Sequence, residues 1–160
     1  MEDTLTVADD ERVARILSEE WFIDGILQAH AFTLRENETY VSVNRLSVPS
    51  YSSDVAFFVE RHPQYQFASH TYKRALLSVS AIRHISVDFE GAPLNVSVEV
   101  EPRSMLTKSH AGIFTRYGKI NIKRGVRSML LEKGICADDI LLEVRAQLMS
   151  ISTIEHCPLK

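Results

Sequence analysis

The segment Leu77-Ser78-Val79-Ser80-Ala81-Ile82-Arg83-His84-Ile85-Ser86-Val87-Asp88-Phe89 decides the reading of the fold. It leads through Glu90-Gly91-Ala92-Pro93 into Leu94-Asn95-Val96-Ser97-Val98-Glu99-Val100-Glu101. Leu77, Val79, Ala81, Ile85, Val87 and Phe89 alternate with polar residues, as do Leu94, Val96, Val98 and Val100. Period-2 alternation puts one face of a strand in an apolar interior and the other in water. The spacing therefore predicts two antiparallel strands joined by a hairpin, with Gly91 free to take positive φ at the turn.

Outward from this hairpin the pattern changes. Asp9 and Asp10 are good helix caps, and Val13, Ile16, Leu17 and Trp21 follow at helical spacing, with Gly25 as a stop. Ile26–Leu34 and Thr39–Val48 read as two strands around the polar turn Arg35-Glu36-Asn37-Glu38. Ser52 or Ser53 caps a short helix bearing Val55, Phe58 and Val59. His62-Pro63 ends it, because a residue before proline avoids helical geometry. Ile122, Val126, Met129 and Leu130 form another helical stripe, closed by Lys133-Gly134. Ala137-Asp138-Asp139 opens a last helix, whose apolar face holds Ile140, Leu141, Val144, Leu148 and Ile151. The expected class is α+β: an antiparallel sheet of about four or five strands packed against N-terminal and C-terminal helices, in a single domain covering 1–160.

The bulk composition narrows the possibilities. The chain has 160 residues, 45% of them hydrophobic and 24% charged, which is enough for one ordinary core and unlike a disordered chain. A net charge of −3 argues against broad salt-driven nucleic-acid binding. Arg116, Lys119, Lys123, Arg124 and Arg127 nevertheless form a local basic stretch, readable as a solvated helix face or as a local phosphate or RNA contact. Cys136 and Cys157 are the two cysteines and lie far apart, so a reducing compartment is expected. His156-Cys157 alone is too little for a zinc site, and no metal or cofactor is expected. The acidic start lacks the features of a signal peptide, and no apolar run reaches the roughly 18 residues of a membrane span. A cytoplasmic location is expected, in which Asn37-Glu38-Thr39 and Asn95-Val96-Ser97 are chance matches to the glycosylation triplet.

Two segments single out candidate functional residues. Val43-Asn44-Arg45-Leu46-Ser47-Val48-Pro49 sets Arg45 on the same strand face as Val41 and Val43. Arg83 has the same relation to Ala81 and Ile85. A guanidinium drawn inward needs a bound anion or an acidic neighbour, for which Asp88 and Glu99 are candidates. Thr107-Lys108-Ser109-His110-Ala111-Gly112 places a histidine among small residues that would let a ligand approach. An imidazole titrates near neutral pH and suits proton transfer, but it can equally tie down its own loop. His84 precedes Ser86 by two residues, which is half of the paired arrangement used by two-histidine phosphoesterases; His110-Ala111-Gly112 lacks the hydroxyl for the other half. Walker, GxGxxG, GxSxG, HExxH and paired CxxC signatures are absent.

Asn44-Arg45-Leu46-Ser47, followed by Ser109-His110-Ala111-Gly112-Ile113, resembles a group of small bacterial proteins. Those carry an Arg-x-Ser strand segment and a later Asn-Pro-x-His-Ala loop, then a strand and a terminal helix. The likeness spans residues 40–133 in outline, with Thr107-Lys108 where that loop has Asn-Pro. The resemblance implies a bacterial, cytoplasmic protein and marks Arg45, Ser47, Ser109 and His110 without naming a reaction. With no complete catalytic set, the leading expectation is a non-enzymatic binding module, acting with a partner protein encoded nearby or with a second copy. The alternatives are a nuclease or nucleotide-processing enzyme and a small-anion binder without turnover. In the enzyme, His110 is acid/base, His84 or Ser47 assists, and Arg45 and Arg83 hold phosphate.

Overall fold

The computed structural model describes residues 6–68, 70–124 and 134–159. Fourteen elements are named here: β1 Arg12–Ile16, β2 Phe22–Ile23, β3 Ile26–Leu27, β4 Tyr40–Arg45, α1 Tyr51–Arg61, β5 Thr71–Ser78, α2 Val79–Arg83, β6 Asp88–Phe89, β7 Ala92–Pro93, β8 Val96–Pro102, β9 His110–Tyr117, β10 Ile120–Asn121, α3 Ala137–Ile151 and β11 Thr153–Pro158. Among the described residues the class is α+β, with three α-helices and an antiparallel sheet of seven strands. That sheet is larger than the expected four or five strands.

The strands run in the order β10-β9-β4-β1-β5-β11, and β8 pairs with β9. β8 lies along Ala111–Tyr117 of β9. β9 presents His110–Phe114 to β4, and Arg116 and Tyr117 to β10. One sheet face carries Val13, Val41, Val43, Ala75, Leu77, Val98, Val100, Ala111 and Ile113. They pack with Val79 and Ile82 of α2 and with Ala137, Ile140, Val144 and Leu148 of α3. The other face gathers Ala14, Ile16, Tyr72 and Leu76 beneath Tyr51, Val55 and Val59 of α1.

Burial on both faces explains the main corrections. The expected N-terminal helix is strand β1 followed by a 3-10 turn at Glu19–Trp21. Val13, Ala14, Ile16 and Leu17 are all buried because a central strand has no wet side. Apolar residues then fall at i, i+3 and i+4 by coincidence, and the alternation that marks a strand disappears. β5 went unread for a related reason: Lys73 and Arg74 interrupt its apolar run. Both are accommodated, Lys73 against the Phe22 and Phe67 rings and Arg74 against Glu155. β11 also went unread. It is an edge strand that pairs with β5 from Thr153↔Leu76 to Pro158↔Thr71.

The long strand expected from Leu77 to Phe89 is broken. Ser78 ends β5 and caps α2, its hydroxyl accepting from the Ala81 amide at 3.2 Å. A serine here competes successfully for the backbone, so Arg83 and His84 sit at the C-terminal end of a short helix, not on a strand. The turn at Glu90-Gly91 exists as a minor hairpin between β6 and β7. Expected strand Ile26–Leu34 reduces to β3 and a 3-10 turn at Ala29–Phe32. The expected helices near Val55 and after Ala137 correspond to α1 and α3. The helix expected around Val126–Lys133 lies outside the described residues, as does Arg127. No helix among the described residues is long and apolar enough to cross a membrane.

Candidate ligand-binding site

β4 and β9 bring the Arg45–Ser47 segment beside Ser109 and His110. The Arg45 amide donates to the Ser109 carbonyl at 2.8 Å, and Asn44 stands opposite His110 in the ladder. The side chains then part. Opposed residues in an antiparallel pair share a face, so Asn44 and His110 point one way and Arg45 points to the other. Arg45 is 3% exposed and meets Glu11 through two hydrogen bonds, Nε to Oε1 at 2.9 Å and Nη2 to Oε2 at 2.7 Å. Ser47 donates to the same carboxylate at 2.9 Å. Burial pushes the Glu11 carboxyl up, but hydrogen bonds from Arg45, the Ala8 amide and Ser47 outweigh it, and the group is held below its ordinary value.

Arg83 is similarly engaged, by Asp9 at 2.6 Å and Glu99 at 2.7 Å, with the Val100 carbonyl at 3.1 Å. Glu99 is one of the two partners that the sequence suggested for it. Asp9 and Glu11, two residues apart, thus hold Arg83 and Arg45 against the N-terminal segment. A phosphate bound by both arginines would have to displace these carboxylates. His84 is exposed, with Nδ1 2.7 Å from the Ser80 carbonyl oxygen.

Ser109 is fully buried in a polar network. Its hydroxyl and its amide both donate to Asp54 Oδ2, at 2.7 and 3.1 Å, and Ser50 donates to the same oxygen at 2.9 Å. Asn44 donates to the Ser109 hydroxyl at 2.8 Å. This network joins the start of α1 to the start of β9. His110 is 8% exposed, and its Nδ1 has no hydrogen-bond partner among the described residues. Burial lowers its pKa below 6.5; a hydrogen bond with the Arg103 backbone opposes this, and the Arg103 charge adds to it. The ring is therefore neutral near pH 7, and Asn44, Ser109 and Tyr40 are its uncharged neighbours across the ladder and in the chain.

The basic stretch divides as well. Arg116 pairs with Glu101 at 2.8 Å and donates to Asn121 at 2.7 Å, while Lys119 and Lys123 stand exposed. Arg124 does something different. It donates to the Leu34 carbonyl at 3.1 Å, next to Thr33, whose hydroxyl accepts from Arg145 of α3 at 2.6 Å. Two guanidinium groups are thereby hung on consecutive residues. Among the described residues neither lies within ion-pair distance of a carboxylate, unlike Arg45, Arg74, Arg83 and Arg116.

Both arginines border a cavity of about 210 Å³ between α3 and the sheet. Its floor is apolar: Phe32, Leu34, Val41, Ile113, Val144 and Leu148, all buried. Thr33, Thr115, Asp138, Leu141 and Leu142 complete the lining. Leu142 is 51% exposed and Arg124 is exposed, so the rim reaches solvent. An apolar chamber with a few polar groups at one side is the usual form of a small-molecule site.

Sequence reasoning marked Arg124, as part of the basic stretch, and the apolar face of α3. It missed Arg145, Thr33 and Thr115. One signal was available: Leu141 and Arg145 are four apart and share a helix face. No group of His, Cys, Asp and Glu able to hold a metal occurs among the described residues. Fold and cavity together define an α+β protein built on an antiparallel sheet, with a chamber roofed by its longest described helix. No family model matches the chain, nor does any curated protein or solved structure.

Proposed function

We propose that this protein is a non-catalytic binding module that holds a small organic ligand in the cavity beneath α3. The cavity itself carries this reading: about 210 Å³ of space with an apolar floor and an open rim. Apolar cavities of about 150 Å³ already take a molecule the size of benzene. The polar residues singled out from the sequence support binding over turnover. Arg45, Arg83 and Ser109 are engaged by Glu11, Asp9, Glu99 and Asp54, so among the described residues the groups singled out from the sequence do not stand free around one reacting atom.

The test is NMR titration of the folded protein with methyl-labelled Ile, Leu and Val, using benzene and 1-hexanol as probes. Saturable shifts at Ile113, Val144 and Leu148 are expected, and Val144→Phe, which fills the chamber, should suppress them. Shifts confined to surface methyls, or the same shifts in Val144→Phe, would refute the reading.

A second reading, docking of a partner protein, is favoured by one observation. Met105 and Leu106, at 94% and 71% exposed, stand on the loop between β8 and β9. Apolar side chains so exposed are candidates for an interface core. A partner captured by the wild type and lost with Met105→Ser/Leu106→Ser supports it; equal capture by both removes it.

A further inference from the structure

We infer that the ligand of this cavity is a monocarboxylate with a short apolar body, its head held between Arg145 and Arg124. The inference rests on the binding reading above and names the ligand class. Four observations lead to it.

The first is proximity. Arg145 is fixed by the Thr33 hydroxyl and Arg124 by the Leu34 carbonyl, so adjacent residues of one segment anchor both guanidinium groups, and both border the same chamber. The second is unspent charge. Neutral oxygens occupy one donor of each fork, and no carboxylate of the described residues neutralises either group. Each guanidinium has five N–H donors in a plane, so donors remain on both for a planar two-oxygen anion.

The third is the body of the chamber. Its floor offers aliphatic and aromatic carbon, which rewards a ligand only if most of it is hydrocarbon. A bare phosphate or sulfate would leave that floor empty and lose hydration at the same time. The volume suits a chain of about six carbons, or one ring, by comparison with the benzene-sized cavity of about 150 Å³.

The fourth is the contrast between rim and floor. The arginines border the cavity beside the Thr33–Leu34 segment, while Ile113, Val144 and Leu148 line it with hydrocarbon. A monoanion is oriented with its head toward the arginines and its hydrocarbon tail over that floor. A second carboxylate at the far end of the same chain would lose its hydration against the floor and be rejected.

The experiment compares hexanoate, 1-hexanol and adipate on the full chain by calorimetric titration at pH 7, with the methyl NMR readout in parallel. Hexanoate is expected to bind at least tenfold tighter than hexanol, and adipate at least tenfold weaker than hexanoate. Arg145→Met should erase the preference for acid over alcohol; Arg145→Gln, which can still donate to Thr33, controls for folding. Equal affinity for hexanoate and hexanol overturns the carboxylate assignment and leaves the binding module standing. A preference for hexanoate that survives in both Arg145 variants and in Arg124→Met overturns the paired-guanidinium cradle. Failure of all three compounds, with no methyl shifts, overturns the carboxylate and the cavity reading together.

Discussion

Glu11 and Arg45 form a two-point ion pair at 2.7 and 2.9 Å, with side chains 11% and 3% exposed. It joins the approach to the first strand to the end of β4. Removing one member of a buried ion pair costs about 3 kcal/mol or more, because the buried charge that stays loses its carboxylate. Glu11→Ala is therefore expected to lower unfolding free energy by about that amount in urea denaturation. Adding Arg45→Met should recover most of it, since a well-packed apolar replacement removes the buried charge. A loss under about 1 kcal/mol in Glu11→Ala would show that Arg45 is solvated or finds another partner.

Gly112 sits where a side chain would meet the Tyr40 ring. A Cβ there would stand 2.5 Å from Cδ2 and 2.7 Å from Cγ of Tyr40, and 3.0 Å from Cε1 of Phe114. The Tyr40 and Phe114 rings pack at 5.1 Å over this gap. Gly112→Ala must push the Tyr40 ring aside, at an expected cost of about 1–3 kcal/mol. Tyr40→Leu in the same background should shrink the penalty. An unchanged melting curve for Gly112→Ala would mean that the ring is not held over the strand.

Acid should weaken the fold in two stages. The His110 pKa is lowered from 6.5, so the unfolded chain takes up a proton on this ring before the folded one does. Stability is full above the unfolded value and falls as the pH drops below it. Glu11, lowered from 4.5, repeats the pattern at more acid pH. His110→Gln should flatten the loss of melting temperature between pH 7 and 5 and leave the steeper loss below pH 4.5 intact. An identical slope in wild type and variant between pH 7 and 5 would assign that stage to other groups.

Asp54 concentrates three hydrogen bonds on one oxygen, from Ser50, the Ser109 hydroxyl and the Ser109 amide. Asp54→Ala strands the buried Ser109 donors and should cost about 2 kcal/mol. Faster hydrogen exchange at the Ser109 and His110 amides is expected with it. Asp54→Asn, which keeps an acceptor, should lose less. Equal losses from both substitutions would point to charge as the contribution, not acceptor geometry.

Some of this was legible from local pattern. β8 was readable because Val98 and Val100 are buried while their neighbours are partly exposed, a one-sided strand in an antiparallel sheet. α3 was readable because its caps and apolar stripe repeat over 15 residues. β1 was not: once both faces of a strand are buried, periodicity no longer separates it from a helix. The break at Ser78 was hidden because a serine fits equally well as the wet position of a strand and as a helix cap.

The candidate site divides along the same line. The need of Arg45 and Arg83 for compensation is an intrinsic property of a guanidinium removed from water, and the residue pattern alone stated it. Which groups provide it, Glu11 for one and Asp9 with Glu99 for the other, depends on contacts across 34, 74 and 16 residues of chain. The pairing of Arg145 with Thr33 spans 112 residues, and that of Arg124 with Leu34 spans 90. Chain order by itself determined the class of the fold and the residues that cannot stand alone. Only packing in three dimensions decided their partners and opened the chamber under α3, because distance through space is unrelated to separation along the chain once a sheet has assembled.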